Sequence, residues 1–177
     1  MIILKINELE KRLNKSIKHN VKCLGVDTAS KTGWALITTN NSEVIIDYGT
    51  LNIKSPNNYY KYNYLIKFFD NLIYNNLNKN SIIVIEDTFF HFNPKMFAFI
   101  SRVGMIVYTI AEICNIKNKY FITAAQARKK LGFKGTAKKE EIHRQFRNSL
   151  YINIKDKDIV DAIILALNGI IKNGEKY

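Results

Sequence analysis

Four carboxylates in this 177-residue chain interrupt or end apolar segments, where an unpaired acid is costly to bury. Asp27 closes the run VKCLGVD, and Glu86 closes SIIVIED, which has the most strongly apolar strand character in the chain. Asp158 and Asp161 stand at i, i+3 at the start of DIVDAIILALNGIIK, so both project from one side of a helix. Each alone has a simpler reading: a turn residue at Asp27, an edge residue at Glu86, and helix-start acids favoured by the macrodipole at Asp158 and Asp161. Brought together without matching Arg or Lys, they require a multivalent cation. Oxygen ligands in this number suit Mg²⁺ or Mn²⁺. Two such ions ~3.5–4 Å apart can activate a water and stabilise the leaving oxygen in phosphodiester cleavage. Two neighbouring acids compete for these roles. Asp87 is turned away from Glu86 by the two-residue period of a strand. Asp156 competes with Asp158 as the helix cap, and Asp158 is preferred because it keeps the i, i+3 relation to Asp161.

The elements that must position these acids can be read from periodicity and punctuation. Ile6, Leu9, Leu13 and Ile17 predict a short basic amphipathic helix over residues 6–19. Three strands with short connections follow, over 21–27, 33–39 and 44–53, as a meander. A long helix is expected over about 56–77, opened by Pro56. The strand at 81–87 is apolar enough for a central position covered on both faces. A helix follows from near Pro94 to about Asn115, then a short strand at 119–123. Thr123 and Gln126 have the spacing of a capping box for a short helix that stops at Gly132. A second basic helix at about 136–148 and the final helix from Asp158 to Lys172 complete the chain. The fold class is therefore α/β, a mixed five-stranded sheet flanked by helices on both faces. A basic N-terminal helix occupies residues 1–20 and one domain residues 21–177.

Composition narrows the partners. Hydrophobic residues at 47% and charged residues at 24% exclude a disordered chain. Cys23 and Cys114 lie in apolar stretches without metal-ligand spacing, which excludes a disulfide framework and fits a reducing compartment. No apolar run reaches the ~18 residues of a membrane span, and the order of apolar and charged residues at the start is wrong for a secretory signal. The expected location is cytoplasmic, with no membrane partner. The net charge of +12 is concentrated in two blocks, residues 1–22 at +4 and residues 117–147 at +8, leaving a neutral body between them. Such blocks read as a footprint for a polyanion. Arg128, Lys134, Lys138, Lys139 and Arg144 in the second block are candidate phosphate contacts, and Lys139, His143 and Arg147 form one helical stripe there. Trp34 is expected in the core, His143 on the surface, and His91 is incidental.

GVDTASKTGWAL (25–36), IVIEDTF (83–89), the segment Gly135-Thr-Ala-Lys-Lys139 and DIVDAIILAL (158–167) together resemble the RuvC-type Holliday junction resolvases of the ribonuclease H-like superfamily. The resemblance covers roughly residues 22–170, and its most specific part is the Asp-x-x-Asp-Ala ending joined to the Gly-x-Ala-x-Lys segment. It implies a ribonuclease H-like fold and a crossover junction endodeoxyribonuclease that resolves four-way DNA junctions by paired nicking. By the same resemblance Asp27, Glu86, Asp158 and Asp161 are the catalytic metal ligands, for two Mg²⁺ or Mn²⁺ per site. Lys139 is the lysine near the scissile phosphate, with Lys138 as the neighbouring alternative. Phe89 falls at the position of an aromatic that meets unstacked bases. The resemblance also implies a homodimer, with Phe97, Phe99, Met105, Ile106 and Ile110 of the central helix as its surface. Thr28-Ala29 replaces the family's usual Pro-Gly after the first acid, and a basic helix precedes the first strand. Both departures suit a phage or mobile-element version with broader branch preference. The alternatives are a ribonuclease H-like nuclease acting on flaps, forks or RNA, and a non-catalytic DNA-binding module.

Overall fold

A computed structural model describes residues 1–88 and 93–172. Six strands form one mixed sheet: β1 (Ile2–Lys5), β2 (Lys22–Asp27), β3 (Thr32–Thr39), β4 (Glu43–Leu51), β5 (Ile82–Glu86) and β6 (Asn118–Ile122), in the order β1-β4-β3-β2-β5-β6. The meander β2-β3-β4 is antiparallel, whereas β5 and β6 run parallel to β2. Six helices cover it: α1 (Ile6–Leu13), α2 (Asn58–Asn76), α3 (Pro94–Ile113), α4 (Ala124–Lys130), α5 (Lys139–Leu150) and α6 (Lys157–Ile170).

The sixth strand is β1, absent from the sequence reading because four residues are too few to display a period. It pairs antiparallel with β4, Ile2 opposite Ile46. The helix expected over 6–19 ends instead at Leu13, because Asn14 adopts a left-handed conformation (φ 50°) that terminates it. Ile17 is still fully buried, by an antiparallel bridge to Ile171 rather than by a helical face. Residues 1–20 thus contribute an edge strand and a helix to the main core. Arg12 fastens α1 to the end of α5, donating to the Leu150 carbonyl at 2.7 Å.

Side-chain alternation divides the interior into two layers. Cys23, Ala35, Ile37, Ile46 and Val84 face α6, with α1, α4 and α5 around it. Leu24, Val26, Ile83 and Ile85 face the other way, against Leu65, Phe69 and Ile73 of α2 and Val103 and Val107 of α3. Cys23 lies deep in the first layer, where burial pushes its thiol up to about 12 and keeps it a packing residue. Although α3 is long and apolar enough to span a membrane by length and composition, its inner face packs on the sheet and Lys95, Arg102 and Glu112 punctuate it.

Glycine sets how near α6 comes to the sheet. A Cβ on Gly25 would lie 2.3 Å from the Ala162 carbonyl oxygen and 2.4 Å from the Ala166 nitrogen. One on Gly33 would lie 2.2 Å from the Asp158 carbonyl oxygen. These contacts are with backbone, which cannot step aside as a side chain can, so both strands need a residue without a side chain. Gly25→Ala is therefore expected to lift α6 and destabilise the fold by about 1–3 kcal/mol. Urea unfolding would measure this, and an unchanged midpoint would contradict so close an approach.

Candidate active site

Strand register brings the first two acids together. Cys23 pairs with Ile82 and Gly25 with Val84 in the parallel β2-β5 ladder. Continuing by two residues sets Asp27 beside Glu86, and both carry the parity of the α6 face. Asp87, one residue on, is exposed and outside the cluster, as period two requires. The Gly33 contact lays the first turn of α6 against this strand end and delivers Asp158 and Asp161. Asp156 takes the capping duty: its Oδ1 accepts from the Asp158 backbone N–H at 3.1 Å, and its other oxygen pairs with Lys31. The cap is thus Asp156 and not the Asp158 preferred from sequence, which leaves the Asp158 side chain free to face Lys139.

Two cations stand among these acids. Lys139, the first residue of α5, places its Nζ 3.0 Å from Asp158 Oδ1, 3.1 Å from Asp161 Oδ2 and 3.5 Å from Asp27 Oδ2. Arg128 of α4 donates from Nη2 to Asp161 Oδ1 at 2.9 Å, and both side chains are buried. Arg128 is therefore an internal counter-ion and not the surface phosphate contact expected from its basic segment. The capping box that starts α4 at Ala124 sets the helical phase that turns Ala127 and Arg128 inward. The premise that the acids lack matching Arg or Lys is likewise corrected: four carboxylates face one ammonium and one guanidinium. Among the described residues, no three His, Cys, Asp or Glu side chains form a ready-made metal cage.

The electrostatics of the cluster are uneven. Asp27 is 1% exposed, and burial pushes its carboxyl well above the usual range. The adjoining Glu86 carboxyl adds to the rise, by a shared hydrogen bond and by charge repulsion, while Lys139 pulls the other way. Burial works against the Lys139 ammonium, but Asp27, Asp161 and Asp158 outweigh it and hold it protonated above the ordinary lysine range. Asp27 Oδ1 accepts a 3.3 Å bond from the Ala29 N–H. Its Oδ2 is buried and, among the described residues, receives no hydrogen bond. A buried carboxylate oxygen with no hydrogen bond, and only the Lys139 ammonium at 3.5 Å, stands beside three more acids; with a net charge of −2 over the six groups when all are ionised, this is a donor set that suits a divalent cation.

The remaining predicted residues separate by exposure. Lys134, Lys138 and Arg144 are exposed, Lys138 as the residue that precedes α5 and Arg144 within it. His143 is half-buried rather than superficial, its ring nitrogen against the Ile154 carbonyl. Phe89 and His91 lie outside the described residues. Thr28, noted in the sequence only as a departure from the family's usual Pro, is fully buried and donates from Oγ1 to the Glu86 carbonyl oxygen at 3.4 Å, tying the two strand ends together. Of the helix residues expected at a dimer surface, Met105 is exposed, Phe97, Phe99 and Ile106 are half-buried, and Ile110 faces the core.

No family model and no curated protein sequence matches the chain. Solved structures do. The RuvC structure from Thermus thermophilus superposes with a TM-score of 0.67 at 15% identity, over 86% of this chain and 99% of that one. The T. thermophilus RuvC in complex with a Holliday junction substrate gives 0.59 at 14%, over 83% and 90%. The yeast mitochondrial Holliday junction resolvase Ydc2 gives 0.58 at 14%, over 89% and 81%. The chain therefore has the ribonuclease H-like fold of RuvC, with six strands in its sheet where the sequence reading had five.

Proposed function

We propose that this chain is a divalent-metal-dependent endonuclease that nicks branched DNA, a junction-resolving enzyme of the RuvC type acting as a homodimer. The observation that carries the reading is the convergence of Asp27, Glu86, Asp158 and Asp161 with Lys139 at one end of a sheet shared with two Holliday junction resolvases.

Asp27, Glu86, Asp158 and Asp161 would hold Mg²⁺ or Mn²⁺, one or two ions per site, and Asp27 Oδ2 is the oxygen most in need of such a partner. Bound there, the metal would lower the pKa of an attacking water and stabilise the departing oxygen. Arg128 orients Asp161 through its 2.9 Å hydrogen bond to Oδ1. Lys139 serves as counter-cation to the acids in the metal-free protein, and its side chain is 42% exposed, so it can turn toward substrate. Its charge would neutralise the scissile phosphate as negative charge builds in the transition state. Lys134, Lys138 and Arg144 would hold the adjoining backbone, and such binding weakens steeply with salt.

The partner is argued from the outer face of α3 and the neighbouring edge strand. Met105 and Ile113 are exposed on the side of α3 turned away from the sheet, and the part-exposed Phe121 of β6 stacks beside them on Tyr108. Exposed apolar side chains grouped in this way suit a second copy of the chain, which would present two sites to two strands of a junction. Ile110 is not part of this surface. A DNA-containing compartment is the implied location.

Lys139→Met separates the lysine's role from ligand binding. Nicking at saturating Mg²⁺ is expected to slow by about 10²-fold or more while metal affinity, measured by calorimetry, does not weaken. A parallel loss of metal affinity would make Lys139 a structural prop instead. The substrate class is tested by cleavage of a four-way junction, a flap, a fork and an RNA duplex under one condition. Preference for the junction with nicks on opposed strands supports the reading, whereas preference for the RNA duplex replaces it with a ribonuclease.

A further inference from the structure

On the face of β3 opposite the acids lies a pocket of about 390 Å³, within the range of small-molecule sites. Its floor is Trp34, which follows Gly33 and so sits across the sheet from Asp158. The indole lies on the backbone of Gly49, where a Cβ would come within 2.9 Å of Nε1. Phe68 of α2 meets it at 5.6 Å between ring centroids and 53° between planes. Trp34 stands at the margin of the core expected from sequence, packed against the layer that holds Leu65 and Phe69. It is half-buried, held by a glycine beneath and a tilted ring beside it.

The wall is a single stripe of α2, with Tyr64, Lys67, Phe68, Asn71 and Asn76 at helical spacing. Two amides there are half satisfied. Asn75 donates to Asn71 Oδ1 at 2.9 Å, and Asn76 donates to the Leu72 carbonyl at 2.9 Å. Among the described residues this leaves the Asn71 amide as a donor and Asn76 Oδ1 as an acceptor. No carboxylate lines the pocket. Asp47, an acid of β4 on this face, is exposed and outside the lining. Lys67 stands on the stripe, and Lys22 donates to the Asn76 carbonyl at 2.7 Å, so an ammonium is present toward each end.

We propose that this pocket binds an unstacked nucleobase of a single-stranded segment, with Trp34 and Tyr64 as stacking surfaces, Asn71 and Asn76 reading a base edge, and Lys67 holding the flanking phosphate. Every base has a π-face that aromatic rings can stack on, and a lining with one lysine, two amides and no carboxylate suits a nucleotide better than an apolar peptide. The proposal rests on the DNA-processing reading above, since it supposes that this enzyme meets unpaired strands.

The chain contains one tryptophan, so its fluorescence reports on this pocket alone. A short oligothymidylate would be titrated against an abasic oligonucleotide of equal charge, with binding followed in parallel by anisotropy. Oligothymidylate is expected to quench Trp34 while the abasic strand binds without quenching, and Tyr64→Ala should weaken the quenching titration about tenfold. Equal quenching by both strands, anisotropy without quenching, or no binding of either strand would overturn the proposal. Metal-dependent nicking of a junction is scored separately on the same preparation. Nicking without quenching removes the pocket and leaves the nuclease, whereas absence of nicking removes the nuclease reading itself.

Discussion

Asp27→Asn is expected to abolish nicking, by at least about 10³-fold, and at the same time to make the metal-free protein more stable. The first effect follows from losing the most buried of the four acids proposed to hold metal. The second follows from where that acid sits. The folded protein resists ionising Asp27, chiefly through burial and then through Glu86, whereas the unfolded chain ionises it near the ordinary value of 3.8. As pH rises from there toward the raised folded value, the unfolded state gives up its proton first, so this group's contribution to stability is lost across that interval. Asparagine has no such proton to lose. At neutral pH and above the variant should gain about 1–3 kcal/mol, the scale of an unsatisfied buried polar group, and its stability should vary less with pH. For a domain of this size that is a rise of several degrees in Tm. Mg²⁺ should narrow the gap by stabilising the wild type, by about 2.7 kcal/mol at a hundredfold excess over Kd, while leaving the variant unmoved. A less stable Asp27→Asn protein at pH 8 would show that Asp27 is structural.

Arg128→Ala is the second large effect, in the opposite direction. Removing the guanidinium leaves Asp161 buried with one cation fewer, and breaking a pair of this kind costs about 3–5 kcal/mol. Replacing both partners by apolar residues, Arg128→Met with Asp161→Leu, should recover much of the stability but none of the nicking, because it removes a proposed ligand. Urea unfolding of the two single variants and the double variant closes the cycle. Recovery in the double variant assigns the loss to the unpaired charge; a sum of the two single losses assigns it to packing.

The acids were readable from the sequence because each breaks an apolar pattern, and the two-residue period of β2 and β5 was enough to choose Glu86 over Asp87. The i, i+3 spacing favours Asp158 over Asp156 as the cap, but the cap is Asp156, because spacing shows which acids share a helix face and not where the helix begins. Lys139 came from a motif resemblance, since nothing in a run of basic residues distinguishes one lysine from the next. Arg128 was misplaced for the same reason: a buried arginine inside a basic segment looks like its exposed neighbours until its helix phase is known. The strand β1 was missed because Ile2–Lys5 is too short for a pattern. Trp34 ends at the margin of the core because a strand's alternation says which face a side chain takes, but not how completely the neighbouring helix, here α2 through Phe68, covers it.

The central claim is that these carboxylates form a metal-dependent phosphodiesterase centre for branched DNA. Its most direct test is strand nicking of a labelled mobile four-way junction by the wild-type protein, with Mg²⁺ and with EDTA, beside Asp27→Asn. The account predicts nicks on two opposed strands with Mg²⁺, none with EDTA, and none from the variant. Nicking that persists in Asp27→Asn, or tight junction binding with no metal-dependent nick in the wild type, would contradict it.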